Sequence, residues 1–186
     1  MKKIIYKLTF AFVFSLFILC TTQESTVSAA IANKPGDIII TNSTSSKGIL
    51  GHMGIYIDSK TILHTSGWKS EPYPLPISES KWHKRYKHSK VIRPNSSALG
   101  KKAAQQAVKH FKGKTIPYKL TSGVTNIKNT YCSELVWYSY YKAGKEFKTY
   151  NPTARLFARP SIIKPYDYTN VANVKHNGFK WIDSKW

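Results

Sequence analysis

Asn129 to Gly144 reads NTYCSELVWYSYYKAG, and its spacing sets the frame for the whole chain. Cys132, Leu135, Val136, Ser139, Tyr140 and Ala143 recur at the three-and-four interval of one helix face. Asn129 or Thr130 can cap the start of that helix, and Gly144 can close its end in a left-handed conformation. Cys132 then falls in the first turn, against unpaired backbone N–H groups and the positive end of the helix dipole. Such a position favours the thiolate, the nucleophilic form of cysteine. A small buried core residue is the other meaning of a cysteine there.

Cysteine usage sharpens the choice. The 186-residue chain has two cysteines, Cys20 and Cys132. Residues 1–30 read as a cleaved signal peptide. Lys2, Lys3 and Lys7 form a basic start, Leu8 to Cys20 an apolar run, and Ser28-Ala29-Ala30 a small-residue cleavage site. The run is short for a membrane span, which needs about 20 residues, although an uncleaved anchor is the alternative. Leu19 is too bulky for the small residue that precedes a lipidated cysteine. Removing residues 1–30 leaves Cys132 with no intramolecular partner. An unpaired cysteine in an exported chain points to a reactive thiol or to intermolecular pairing.

Residues 31–186 suffice for one domain. Of 29 basic and 9 acidic residues, three lysines and one glutamate leave with the signal, so the remaining balance is +18. Outside a cell that charge suits anionic wall polymers or an acidic lipid surface. Nucleic acid is not an expected partner, because export separates the two and no recognition motif is present. The densest basic cluster, Lys81 to Lys90 (KWHKRYKHSK), reads as a solvated face or loop.

Pro35-Gly36-Asp37 reads as a turn into a buried strand, Ile38 to Thr41, followed by a polar loop, Asn42 to Gly48. Gly51 to Ile57 and Thr61 to His64 then form a hairpin about Asp58-Ser59-Lys60. A turn centred on Asp58 places His52 directly opposite His64, and Met53 opposite Leu63. Opposed side chains have Cβ atoms about 4.5–5.5 Å apart, so one imidazole can serve as a base while the other orients it. Two half-buried edge residues, or two ligands of an incomplete metal site, are the plainer meanings. A proline-bearing connection occupies Gly67 to Pro76. Val91 to Pro94 is a short strand, and Ser96 or Ser97 starts a helix to about Phe111. A long loop to Thr130 follows. Ser161 to Ile163 and Val171 to Val174 are weak strand candidates, and Phe179 to Trp186 closes the sheet.

The ordered set Pro35-Gly36-Asp37-Ile38-Ile39, Gly51-His52-Met53-Gly54-Ile55-Tyr56, Ile62-Leu63-His64 and Tyr131-Cys132-Ser133-Glu134-Leu135-Val136-Trp137 resembles the permuted papain-like cysteine hydrolases of the NlpC-type superfamily, in their YiiX/YebB-like branch. The resemblance implies an α+β, circularly permuted papain-like fold. An antiparallel sheet or partial barrel packs against helices, with the nucleophile at a helix N-terminus. It also implies Cys132 as nucleophile, His52 as general base and His64 as orienting residue. The backbone N–H of Cys132 is then an oxyanion donor, and Tyr118 and Tyr131 are candidates for hydroxyl contacts with substrate. The expected reaction passes through a thioester acyl-enzyme, with amide bonds of peptidoglycan stem peptides as the first substrate. Hydrolysis of a lipid ester or amide, or acyl transfer, is the alternative within the same fold.

No cofactor is expected. A metal hydrolase ranks low, because His52 and His64 lack an acidic partner at ligand spacing and Glu134 lies on a different helix face from Cys132. A non-catalytic wall-binding domain is the contrasting class. The 25 aromatic residues (5 Trp, 12 Tyr, 8 Phe) suit a polymer platform, but they also fill cores.

Overall fold

A computed structural model describes residues 31–44 and 50–183. The signal-peptide reading of residues 1–30 falls outside them. Among the described residues no helix is long and apolar enough to cross a membrane.

The central element is an antiparallel six-stranded sheet. It comprises β1 (Ile38–Thr41), β2 (His52–Tyr56), β3 (Thr61–His64), β4 (Leu75–Ser78), β5 (Ser89–Pro94) and β8 (Phe179–Asp183), in the order β4-β3-β2-β1-β5-β8. Between them in sequence lie α1 (Glu79–Arg85), α2 (Ser97–Phe111), α3 (Cys132–Lys142), a β6–β7 hairpin (Thr149–Asn151, Leu156–Ala158) and α4 (Val171–His176). All four residues of β1 and all five of β2 are buried. A strand covered on both faces must be apolar on both, which is why Ile38 to Ile40 show no alternation.

The two faces have separate cores. Ile38, Ile40, Met53, Ile55 and Leu63 meet Ala103 and Ala107 of α2 and Cys132, Leu135 and Val136 of α3. On the opposite face Ile39, Tyr56, Ile62, Ile77 and Val91 pack with Trp82 and Tyr86. The short α1 thus covers one face while α2 and α3 cover the other.

Helix α3 follows the periodicity expected of it. Gly144, at φ +97°, ends it in a Schellman turn, with Lys145 N–H on Tyr140 O and Gly144 N–H on Tyr141 O. Its N-cap is Tyr131, with no side-chain cap, rather than Asn129 or Thr130. The chain enters α3 extended at Tyr131 (φ −132°, ψ 168°), and neither side chain caps the first turn. Helix α2 begins as expected, with Ser96 Oγ accepting the Leu99 N–H.

The basic run at Lys81–Lys90 keeps its expected solvated face, with Lys81, His83, Lys84, Lys87 and His88 exposed; α1 bears most of that face, and Trp82 and Tyr86, four apart, share the buried side. Two expectations are corrected. Val171 to Val174 is helical, capped by Asn170, whose side chain accepts the Asn173 N–H. Ser161 to Ile163 joins no strand. Its Ile163 N–H is spent on the Tyr131 hydroxyl.

Candidate active site

The site begins with the β2–β3 hairpin. Its register pairs Gly54 with His64, Ile55 with Leu63 and Tyr56 with Ile62, two residues from the expected His52–His64 pairing. The turn is wider than one centred on Asp58, with Ile57 N–H donating to Thr61 O and the Asp58 carboxylate accepting the Lys60 N–H. A shift of two keeps both histidines on one face, and Gly54 opposite His64 leaves the imidazole room. A Cβ on Gly54 would stand 2.5 Å from Ile62 Cγ2 and 3.2 Å from His64 Cβ. The histidines still meet: His52 Nε2 and His64 Nδ1 share a 2.9 Å hydrogen bond.

Both rings are held by α1. The Trp82 indole stacks on His52 at 5.4 Å and 18°, and stands edge-on to His64 at 5.6 Å. Tyr86 lies 5.3 Å from His52. Behind them Arg85 donates two hydrogen bonds to Glu71, at 2.9 and 2.7 Å. Burial holds His52 well below its ordinary pKa, with His64 and Arg85 adding to the effect. Burial likewise lowers His64 to about 4, with Glu71 opposing. Both imidazoles are therefore neutral at rest. His64 Nε2 is buried without a partner.

Cys132 arrives from the other face, as the first residue of α3. Its thiol lies within electrostatic reach of the backbone N–H of Met53, the peptide that joins Met53 to His52, and of the Ser133 N–H, while the Ser133 hydroxyl donates to Ile163 O at 2.8 Å. The two N–H groups favour the thiolate, as expected from the helix start. Burial is the larger effect, however, and it pushes the thiol up to about 11. Only 4 % of the residue is exposed, so the resting pair is thiol and imidazole, not thiolate and imidazolium.

Tyr118 is 40 % exposed; partial burial raises its hydroxyl pKa, with the nearby Cys132 and Tyr131 adding to the effect. Tyr131 is buried, and its hydroxyl accepts the Ile163 N–H at 3.2 Å, so its ring forms a wall. Glu134 is fully buried on α3, and neither carboxyl oxygen finds a hydrogen-bond partner. Thr130 and Tyr131 lie close enough to oppose its protonation, but burial wins and raises it to about 8.

Glu134 has a measurable consequence. Its pKa is raised on folding, so its contribution to stability is complete below about 4.5, declines as pH rises, and is lost by about 8. Glu134→Gln is expected to remove that decline, stabilising the chain by on the order of 2 kcal/mol at pH 8.5 and little at pH 4.5. Thermal melts of both proteins across that range check it. Parallel curves would mean that Glu134 is solvated.

Sequence reasoning missed Gly54, Trp82, Tyr86, Glu71 and Arg85. The four-residue spacing of Trp82 and Tyr86 was the available signal; Glu71 lies in an irregular connection and offered none.

Comparison with known proteins adds the family. A family model described as lipoprotein N-acylation protein LnsA-like matches residues 2–171. The chain belongs to that LnsA-like family. An uncharacterized 30.3 kDa protein of Bacillus thuringiensis is 34% identical over 157 residues, which cover 72% of this chain and 57% of that protein. The chain thus spans somewhat over half the length of the curated relative it matches. Among solved structures, the metalloprotein YiiX from Escherichia coli O157:H7 superposes with a TM-score of 0.55 at 18% identity, over 83% of this chain and 99% of that one. This likeness establishes the fold: a mixed α+β architecture with an antiparallel sheet packed against helices.

YiiX is described as a metalloprotein. Among the described residues no group of three or more His, Cys, Asp or Glu side chains is placed to hold an ion. The two histidines spend a nitrogen each on one another. The described residues therefore do not fit a metal centre.

Proposed function

We propose that this chain is a thiol acyltransferase of the cell envelope that carries an acyl group as a thioester on Cys132 and delivers it to an amine. The same residues would support cleavage of wall peptides. The family description, lipoprotein N-acylation, favours an acyl chain over a stem peptide, and a lipoprotein N-terminal amine as acceptor.

One observation carries the reading. The thiol at the start of α3 lies against the backbone N–H groups of Met53 and Ser133, and the residue preceding Met53 is His52, whose Nε2 is already bonded to a second histidine. That bond leaves Nδ1 of His52 for the thiol proton. If His64 Nδ1 accepts the Nε2–H of His52, then Nδ1 is bare, the tautomer a general base requires. The proton of His64 then sits on Nε2, the ring nitrogen without a partner.

In the first half-reaction Sγ attacks the acyl carbonyl as its proton passes to His52 Nδ1. The oxyanion is met by the Cys132 N–H, the bond between the acyl carbon and the ester oxygen of the donor breaks, and His52 returns the proton to the departing alkoxide. In the second, an amine attacks the thioester. Its proton moves through His52 to the departing sulfur, leaving an amide and the free thiol. A raised thiol pKa fits this order, because the proton leaves only as the carbonyl is attacked.

The test is to incubate the full chain with a water-soluble acyl thioester, without acceptor, and weigh the protein. Addition of one acyl mass at Cys132, released by hydroxylamine and transferred to an added aminoacyl peptide, is the expected result. An unmodified protein, or acyl mass elsewhere, would overturn the reading.

A further inference from the structure

Two loops run side by side at the mouth of this site. The Tyr118 ring lies on the Gly67 backbone, within 2.9 Å of where a Cβ would stand. Further along, residues 70–75 and 113–115 line a shared cavity of about 340 Å³. The loops present Trp68 (46 % exposed), Tyr73 (42 %), Tyr118 and Leu120 (61 %) to solvent. They also carry Lys69, Lys114 and Lys119, which have no ion pair among the described residues. Their single acidic residue, Glu71, is committed to Arg85. The guanidinium of Arg85 also covers one side of the Trp68 ring, 4.5 Å from its centroid, leaving the other side outward.

We propose that residues 67–75 and 113–120 form a docking surface for an anionic lipid bilayer, one that sets the mouth of the Cys132 site against the membrane surface. Amphipathic Trp and Tyr rings concentrate at the level of lipid headgroups, and lysines beside them are drawn to anionic lipid. Two features separate this surface from a platform for glycans. Leu120 is the most exposed of its apolar residues, and an aliphatic tip gains from acyl chains rather than from hydroxyls. The two loops also contain no asparagine, glutamine or uncommitted carboxylate with which to read a sugar. The proposal deepens the acyl-transfer reading and rests on it for the use of the site, since an acyl donor resident in a bilayer has to reach a thiol that is almost fully buried.

The experiment uses the full chain with vesicles of phosphatidylcholine and phosphatidylglycerol in equal parts, brominated on the acyl chain near the headgroup. Bromine quenches only tryptophans close to it, and residues 1–30 hold none, so the quenching lost in Trp68→Phe reports Trp68 even where residues 1–30 also bind lipid. Quenching of the wild type, lost in Trp68→Phe and lowered about tenfold or more in Lys119→Glu/Leu120→Glu, is the expected result. No quenching, quenching unchanged in either variant, or equal quenching by vesicles of phosphatidylcholine alone would overturn it. So would a shift of Trp68 emission caused by purified anionic wall polymer and not by vesicles. The two readings fail separately. Acylation of Cys132 by the soluble donor with no quenching of Trp68 sinks the docking surface alone. Quenching without any acyl-Cys132 sinks the transferase alone.

Discussion

Cys132→Ser and His52→Ala are each expected to lower single-turnover acylation by at least about 10³-fold, and the double variant to lower it little further. A serine hydroxyl is a far weaker nucleophile than a thiol, and without Nδ1 of His52 there is no acceptor for the proton that must leave. Each loss corresponds to about 4 kcal/mol of transition-state stabilisation. The single losses do not add, because nucleophile and base act as one unit. Rapid-quench acylation with a soluble thioester measures this, with thermal melts to show that both variants fold. Losses that multiplied in the double variant would mean that the two residues work independently, and a fully active Cys132→Ser would remove the covalent route. His64→Ala differs in kind: Nε2 of His52 loses its partner, so the rate falls less and the error is one of tautomer.

Gly36→Ala is expected to produce the largest loss of stability from a single methyl group. Gly36 has φ +93°, where an L residue pays about 1–2 kcal/mol. A Cβ there would also stand 2.3 Å from both Cα and O of Gly100, so the backbone of α2 would have to move. Two partners meet at this residue and a third at its neighbour. The Gly36 N–H donates to Tyr56 O at 2.8 Å, its carbonyl accepts the Tyr140 hydroxyl, and the neighbouring Asp37 receives two hydrogen bonds from Arg93. Overpacking adds about 1–3 kcal/mol, and a total near 4 kcal/mol lowers Tm by about 10 °C. Gly113→Ala is the control, with φ +69° and nothing within 4 Å. Equal losses in calorimetry would mean that the β1 turn and α2 are not in contact at Gly36.

The parts of this fold legible in the sequence were those written by local chemistry. The period of α3, the serine cap of α2 and the apolar runs of β1 and β2 each follow from residues close in sequence. The histidine pair was legible because a register error of two leaves the face unchanged. The bed beneath those histidines was not. Trp82 and Tyr86 stand among seven lysine, arginine and histidine residues in the run Lys81–Lys90, and charge masked a two-residue apolar stripe. The electrostatics were misread for a related reason. A helix start is visible in sequence and argues for a low thiol pKa, whereas burial, which outweighs it, is a property of the assembled layers. The β6–β7 hairpin rests on long-range support, such as the Asn173 side chain accepting the Tyr150 N–H, and no local pattern announced it.

Thiol and histidines come from opposite faces of one sheet, and the two faces are closed by unequal partners. α3 has eleven residues, eight of them buried, while α1 has seven, of which only Trp82 is buried. Helix α1 is therefore the part of the frame that detaches at least cost, in a local excursion rather than global melting. Each excursion would wet both imidazoles, return them toward a pKa of 6.5 and blur the tautomer, while Cys132 stays seated on its helix. Under the acyl-transfer proposal, activity would then track the weaker lid of the sandwich, so heat or mild denaturant would silence the protein while its circular dichroism still reads as native.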